Sequence, residues 1–268
     1  MQWPFASTSE FVQSTTHERI FSERLDSSSS GDISLHELIL PQSRLVSGSL
    51  FDSWTSWATR GGHALSRVDL SRSGVTDSDL VALLRVAGSR LISLSLKGCE
   101  RLGSAGSWIS VSAIAQYSGP TLQHFATWEH LSDSHLGSLL PSLRQLRFLD
   151  LSLSKTPLSA KVFESLPMVR YLDLSLTQAA LDKAAFRSWL ARAGNELECL
   201  LLARPPSNAG PEFACDDEML AALGSSSPSL ALLDVSYCRT LTSRGLRSRG
   251  VRPIASVEDG RRRRSYRC

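Results

Sequence analysis

A six-residue pattern, with apolar residues at its first, fourth and nearly always sixth positions, recurs along the chain. The copies are Leu35/Leu38/Leu40, Leu65/Val68/Leu70, Leu91/Leu94/Leu96, Leu122/Phe125/Thr127, Leu146/Leu149/Leu151, Val169/Leu172/Leu174, Leu197/Leu200/Leu202 and Leu230/Leu233/Val235, with Val251/Ile254/Ser256 as a candidate ninth. Successive copies begin on average 27 residues apart between positions 35 and 251. Such spacing indicates an internal repeat, and a repeat determines the fold class.

Each repeat predicts a strand, a turn and a helix. The last apolar positions alternate with period two, as a half-buried strand requires, and the residues that follow change to helical spacing. Leu80/Leu83/Leu84 and Phe186/Trp189/Leu190 are examples. One unit cannot bury its own leucines, so neighbours must stack, at about 1.5–3 kcal/mol per fully buried side chain.

A period of roughly 20–29 residues built from these elements is typical of leucine-rich repeats. The prediction is an α/β solenoid of eight to nine repeats, with a parallel β-sheet on the concave side and helices on the convex side. Residues 35–257 form the solenoid, residues 1–34 a flexible or capping segment, and residues 258–268 a basic tail. The apolar stripe over residues 50–58 is a candidate N-terminal cap, and it is interpreted as an ordinary core stripe of the first repeat's helix in preference to an aromatic ligand site.

Composition limits the classes of protein that remain. Apolar residues make up 42% and charged residues 21% of the chain, which is ordinary for a soluble protein. No apolar run is long enough for a membrane span and no secretory signal is seen, so we expect a cytoplasmic or nuclear protein without a membrane partner. Five cysteines without a Cys-x-x-Cys pair favour reduced thiols over disulfides or zinc.

Charge is distributed unevenly along the chain. Residues 244–268 contain nine arginines and two acids, whereas residues 1–243 contain 20 basic and 24 acidic residues. The run Arg261, Arg262, Arg263, Arg264 is a solvated tail, a nuclear-import signal or a weak nucleic-acid patch.

Several segments resemble a known family. Leu-Ser-Leu-Lys-Gly-Cys (94–99), Gly-Val-Thr-Asp-Ser-Asp-Leu (74–80), His-Leu-Ser-Asp-Ser-His-Leu (130–136) and Val-Ser-Tyr-Cys-Arg-Thr-Leu-Thr (235–242) are similar to the cysteine-containing leucine-rich repeats of F-box ubiquitin-ligase subunits and of ribonuclease-inhibitor-like horseshoes. The resemblance covers about residues 35–257 and implies a protein partner, with ubiquitin-ligase components among the candidates. Residues 1–34 lack the helical F-box segment with its Leu-Pro start.

Alternation along the strands predicts which side chains lie on the concave face. The outward position before the central apolar residue holds Glu37, Arg67, Ser93, His124, Phe148, Tyr171, Cys199 and Leu232. From the fourth repeat onward this row is apolar and aromatic, which marks an interaction site. We expect a protein partner to bind at His124, Trp128, Phe148, Tyr171, Leu201 and Leu232, unless a loop or the N-terminal segment covers them.

Acidic residues occupy the next outward position in several repeats. Asp150 and Asp173 should lie about 4.8 Å apart on adjacent strands and create a local negative potential at the binding face. The sequence Leu-Asp-Leu-Ser is also common in this class of repeat, so these aspartates have a structural interpretation as well. Too few carboxylates join these two to predict a calcium site.

Enzymatic motifs are missing from the sequence. There is no nucleophile elbow, no phosphate-binding loop, no His-Glu-x-x-His and no dinucleotide fingerprint, so we expect no catalysis, cofactor or metal. Cys99, Cys238 and His130 occupy the turn after the strand and are interpreted as structural. The prediction is a non-catalytic protein-interaction module. The alternatives are an assembly subunit of a larger complex and an RNA-associated protein that uses the Arg-rich tail.

Overall fold

The computed structural model describes residues 36–42, 65–103, 108–154, 158–175, 181–203, 215–236, 238 and 240–242, and the backbone of 252–256 and 263–267. The predicted N-terminal segment, the apolar stripe at 50–58, Arg261 and Arg262 lie outside these residues.

Eight short strands form one parallel sheet in the order of the chain. They are β1 Glu37–Ile39, β2 Arg67–Asp69, β3 Ser93–Ser95, β4 His124–Ala126, β5 Phe148–Asp150, β6 Tyr171–Asp173, β7 Cys199–Leu201 and β8 Leu232–Asp234. Equivalent residues of neighbouring strands are aligned throughout, so each position of the repeat forms a row across the sheet. The predicted leucine-rich-repeat solenoid is confirmed.

The end of the sheet departs from the repeat. Strand β9, Arg252–Ser256, pairs antiparallel with β10, Arg263–Arg267, and β10 pairs antiparallel with β8. The candidate ninth copy is therefore not a parallel repeat strand, and β10 separates it from β8. Ser256 gives a physical reason, because a ninth parallel strand would place its hydroxyl at the position where seven of the eight other copies carry an apolar residue.

Helices return the chain from one strand to the next. Those in the described residues are α1 Asp77–Ala87, α2 Ile109–Ala113, α3 Asp133–Leu139, α4 Ala160–Ser165, α5 Lys183–Ala193 and α6 Asp217–Ser226. Helix α2 continues as a π-helical turn, Ile114–Ser118. All but α2 begin after a residue whose side-chain oxygen accepts a backbone N–H of the first turn, namely Thr76, Ser132, Ser159, Asp182 and Asp216.

The core lies between the sheet and the helices. The central strand residues and the inner faces of the helices form one continuous apolar cluster, and most of its leucines are entirely buried. Neighbouring repeats approach closely at Gly194, where a Cβ would lie 2.7 Å from the Ser226 carbonyl oxygen. The opposite face of the sheet carries the first and third residues of each strand, and we call it the concave face.

Candidate protein-binding surface

Five consecutive strands present one row of mostly apolar residues on the concave face. His124 on β4, Phe148 on β5, Tyr171 on β6, Cys199 on β7 and Leu232 on β8 are direct neighbours in the sheet register. We call these five residues the apolar row. The sequence predicted four of them as binding residues and placed Cys199 in the same row.

Aromatic contacts order the start of the apolar row. The Phe148 and Tyr171 rings stack with centroids 4.0 Å apart and an interplanar angle of 3°. The His124 ring is tilted by 48° against Phe148 with centroids 5.9 Å apart. All three rings are partly exposed. Because the rings hold one another in place, a partner that binds them immobilises few side-chain rotamers.

The other end of the row is aliphatic. Leu201 and Leu232 are partly exposed, whereas Cys199 is 6% exposed. Burial, together with the nearby charges of Asp173 and Asp234, raises the pKa of the Cys199 thiol to about 12. Since only the thiolate is a good nucleophile, Cys199 acts as a small apolar residue.

The expected exposure of Trp128 is wrong. Its side chain is 2% exposed and belongs to the core, so it is not available as a binding anchor. The reason lies in Thr127, which occupies the buried position that Leu96 and Leu151 fill in the neighbouring repeats. We attribute the burial of Trp128 to this difference, since a smaller side chain at position 127 leaves apolar volume that the Trp128 ring can fill.

The aspartates of the concave face form turns. In four repeats the carboxylate accepts the backbone N–H of the serine two residues later, at 2.7–2.9 Å. The pairs are Asp69/Ser71, Asp150/Ser152, Asp173/Ser175 and Asp234/Ser236. The two aspartates predicted at the binding face, Asp150 and Asp173, therefore have structural partners within the chain.

Asp150 also forms an ion pair that crosses a strand. Lys97 Nζ lies 2.7 Å from Asp150 Oδ2 and 2.5 Å from Ser152 Oγ, although β4 runs between their strands. Ala126, the neighbour of Asp150 in the register, carries only a methyl group, and Trp128 belongs to the core, so neither requires the space that the Lys97 side chain crosses. The sequence did not predict this pair, since the two residues are 53 positions apart.

Tyr171 of the apolar row and Asp173, two residues later on the same strand, both have shifted pKa values. Burial and the adjacent Asp150 charge raise the pKa of Asp173 to about 6, although Ser175 and Lys97 oppose the change. Burial and the neighbouring Asp173 also raise the pKa of Tyr171 well above its ordinary value. The row therefore offers a neutral phenol beside the Asp173 carboxyl group, whose ionised form is disfavoured.

Polar atoms without partners lie where the apolar row begins. Ser93, the neighbour of His124 in the register, is 1% exposed. Among the described residues neither Ser93 Oγ nor His124 Nδ1 has a hydrogen-bond partner. Burial lowers the pKa of His124, and the charges of Arg67 and Arg147 lower it further. This end of the row is thus electropositive. The sequence gave no signal for the two unpartnered atoms.

The cysteines of the turns contact the preceding repeat. Cys99 Sγ lies 3.0 Å from the Leu70 carbonyl oxygen, and Cys238 Sγ lies 3.6 Å from that of Leu202. These contacts agree with the predicted structural role of both cysteines. His130, at the equivalent position, is exposed.

Metal ligands and membrane segments were searched over the same part of the chain. No three His, Cys, Asp or Glu side chains in the described ranges lie together as a metal site would require. In those ranges no helix is both long and apolar enough to cross a bilayer. The backbone of Arg263 and Arg264 belongs to β10.

Comparisons with known proteins give no family for this chain. No family model and no curated protein matches the chain. A chain of the yeast Rad7–Elc1 complex is 17% identical with a TM-score of 0.49, over 73% of this chain and 62% of that one. Human 5T4 (Wnt-activated inhibitory factor 1, trophoblast glycoprotein) is 15% identical with a TM-score of 0.43, over 86% and 84%. The chain therefore spans less than two thirds of the yeast protein.

Proposed function

We propose that this protein is a non-catalytic recognition module that binds a protein partner on its concave face over β4 to β8. One observation carries the proposal, namely the partly exposed aromatic stack of Phe148 and Tyr171 within the apolar row. Protein interfaces concentrate much of their binding energy in preformed aromatic surfaces of this kind. Leu201 and Leu232 extend the surface.

A finer assignment follows from the sequence resemblance. The cysteine-containing repeats support a role as the recognition arm of a ubiquitin ligase or a related adaptor. In that role the apolar row would hold the protein to be modified, while another part of the assembly carries out the chemistry. Asp150 and Asp173 border the surface and contribute to its shape, because their carboxylates fix the turns beside it.

The experiment has two stages. The full chain is first used for affinity purification with mass spectrometry, and each protein that is captured stoichiometrically is then purified. Its affinity is measured for the wild type, for Phe148→Ala and for Tyr171→Ala. Met168→Ala is the matched control, because Met168 is 59% exposed and lies outside the apolar row. Circular dichroism and thermal unfolding confirm that each variant is folded.

We expect each ring variant to weaken binding by about tenfold or more, as loss of a hot-spot side chain does. The control should change affinity less than about twofold. Unchanged affinity in both ring variants would reject the proposal. Capture of cullin-ligase components supports the finer assignment. A permanent stoichiometric assembly favours a structural subunit instead. Salt-sensitive capture of RNA favours an RNA-associated protein that binds through the Arg-rich tail.

The RNA alternative needs its own variant. Deleting residues 258–268 would also remove β10, which pairs with β8. Replacing the arginines at 261–264 with glutamine keeps the chain length and tests their charge alone.

A further inference from the structure

The chemistry of the apolar row defines the kind of partner segment that it takes. We infer that the row binds an amphipathic α-helix of the partner, laid across strands β4 to β8, with an acidic residue at the end that lies over His124. This inference rests on the proposed function and specifies the ligand of the same surface.

The first argument concerns backbone hydrogen bonds. Strands β4 to β8 each have a neighbour on both sides, so their backbone groups are engaged in the sheet. Between Phe148 and Leu232 the row offers mainly rings, a buried thiol and methyl groups. An extended peptide placed there would lose hydrogen bonds to water and find few in return. A helix satisfies its own backbone and presents only side chains.

The second argument concerns length. Four strand intervals of about 4.8 Å give a row of about 19 Å. About thirteen residues of helix, at about 1.5 Å each, cover this distance. One helical turn advances about 5.4 Å, which is close to the strand spacing, so residues at i, i+3 or i+4, and i+7 can contact successive members of the row.

The third argument concerns charge at the His124 end. The guanidinium groups of Arg67 and Arg147 are both near enough to lower the pKa of His124. Arg67 pairs with Glu37 only at 3.9 Å, and about half of each of these side chains is exposed. A partner carboxylate placed here would meet two exposed arginines, and such charge complementarity sets the orientation of a bound segment.

The buried polar atoms at the same end give independent support. Leaving a buried hydrogen-bonding group without a partner is unfavourable. Ser93 Oγ and His124 Nδ1 are two such atoms in neighbouring register positions. In the complex, a partner carboxylate would accept a hydrogen bond from the partly exposed His124 imidazole, in the tautomer with a proton on Nδ1, and so satisfy one of these two atoms.

Display selection on the full chain tests this inference. One library presents a randomised helix face on a stable helical-bundle scaffold, and the other presents linear peptides. Both are counter-selected against the Phe148→Ala/Tyr171→Ala variant, so that the clones retained depend on the apolar row. Affinities are then measured for the wild type, Arg67→Gln/Arg147→Gln, and the Met168→Ala control.

We expect row-dependent binders from the helix library, with apolar residues at i, i+3 or i+4, and i+7 and Asp or Glu at one end. The double arginine variant should weaken them about fivefold or more, and the control less than about twofold. Row-dependent binders that come only from the linear library, or that carry Lys or Arg at that end, would overturn this inference and leave the proposed function standing. If neither library yields a row-dependent binder, the inference is overturned, and the proposed function then depends on the cellular partner alone.

Discussion

At the scale of single residues, Asp173 shows how the concave face constrains charge. Its carboxylate accepts the Ser175 backbone N–H at 2.7 Å, so it holds the turn after β6. Asp173 as a residue is 9% exposed, and it is adjacent to Asp150 in the register. Burial and this second negative charge disfavour its ionised form, which is why its pKa is raised. The free-energy cost of burying the ionised Asp173 carboxylate in this turn therefore depends on pH.

We predict that Asp173→Asn stabilises the protein at neutral pH but not in acid. The folded state binds the Asp173 proton more tightly than the unfolded chain, so the free energy of unfolding falls as pH rises from about 4 to about 6. Asparagine keeps the acceptor oxygen and removes this loss. The variant should exceed the wild type by on the order of 1–2 kcal/mol at pH 7 and by little at pH 4.

Urea unfolding at several pH values measures this difference. Asp234→Asn is the control for replacing the acceptor itself, because Asp234 forms the same turn with Ser236 and is more exposed. A stability gain that does not depend on pH would contradict the stated cause.

The pair Thr127 and Trp128 shows a compensation between neighbouring residues. We predict that Trp128→Ser destabilises the protein by about 3–5 kcal/mol, the usual cost of truncating a large core side chain. Adding Thr127→Leu restores the pattern of the other repeats and should recover part of the loss. Thermal and urea unfolding of the two single variants and the double variant measure the coupling. Strictly additive effects would show that Trp128 does not fill the volume left by Thr127.

At the scale of elements, an aspartate that is the first residue of a helix accepts hydrogen bonds from the next repeat and so joins the two repeats. Asp133 opens α3, and its carboxylate accepts the backbone N–H of Ser159 at 2.9 Å and its hydroxyl at 2.7 Å. Asp77 and Asp217, which open α1 and α6, accept the same pair of donor types from the following repeat. Because Ser159 also caps α4, one carboxylate orders two helices.

We predict that Asp133→Ala lowers the free energy of unfolding by about 1–3 kcal/mol, since it leaves two donors of the next repeat without their charged acceptor. Urea unfolding gives this value, and hydrogen exchange should show faster opening of α4 than of α1. Ser134→Ala, at the exposed neighbouring position, is the control and should have little effect. Equal loss of protection in α1 and α4 would contradict a local link.

At the scale of the molecule, the protein is a linear stack in which each repeat contacts its neighbours. Such arrays depend on their ends, because a terminal repeat otherwise exposes one side of its core and a free strand edge. Here the β10–β9 hairpin covers the edge of β8 with antiparallel strands. Residues 252–267 thus contribute two strands to the sheet, and the basic tail supplies one of them, β10, beyond any role of its charge.

We predict that deleting residues 258–268 destabilises the last repeat first. Without β10 the β8 edge loses its partner, so amide exchange should quicken in β8 and α6 while β2 to β5 change little. Hydrogen exchange read by mass spectrometry measures this gradient. The glutamine variant of residues 261–264 keeps the strand length and should retain most of the protection. Uniform destabilisation along the array would contradict the local role assigned to the hairpin.

The sequence by itself determined the repeat, its register and the rows of the concave face. Apolar residues with this period can be buried only if neighbouring repeats stack, and the alternation of side chains along each strand fixes the outward positions. Phe148, Tyr171, Leu201 and Leu232 were predictable for that reason. Only the tertiary structure decided the inward turn of Trp128, the Lys97–Asp150 pair, the unpartnered atoms beside Arg67 and the antiparallel hairpin. These depend on how side-chain volumes and charges from distant repeats meet in space, which no local pattern contains.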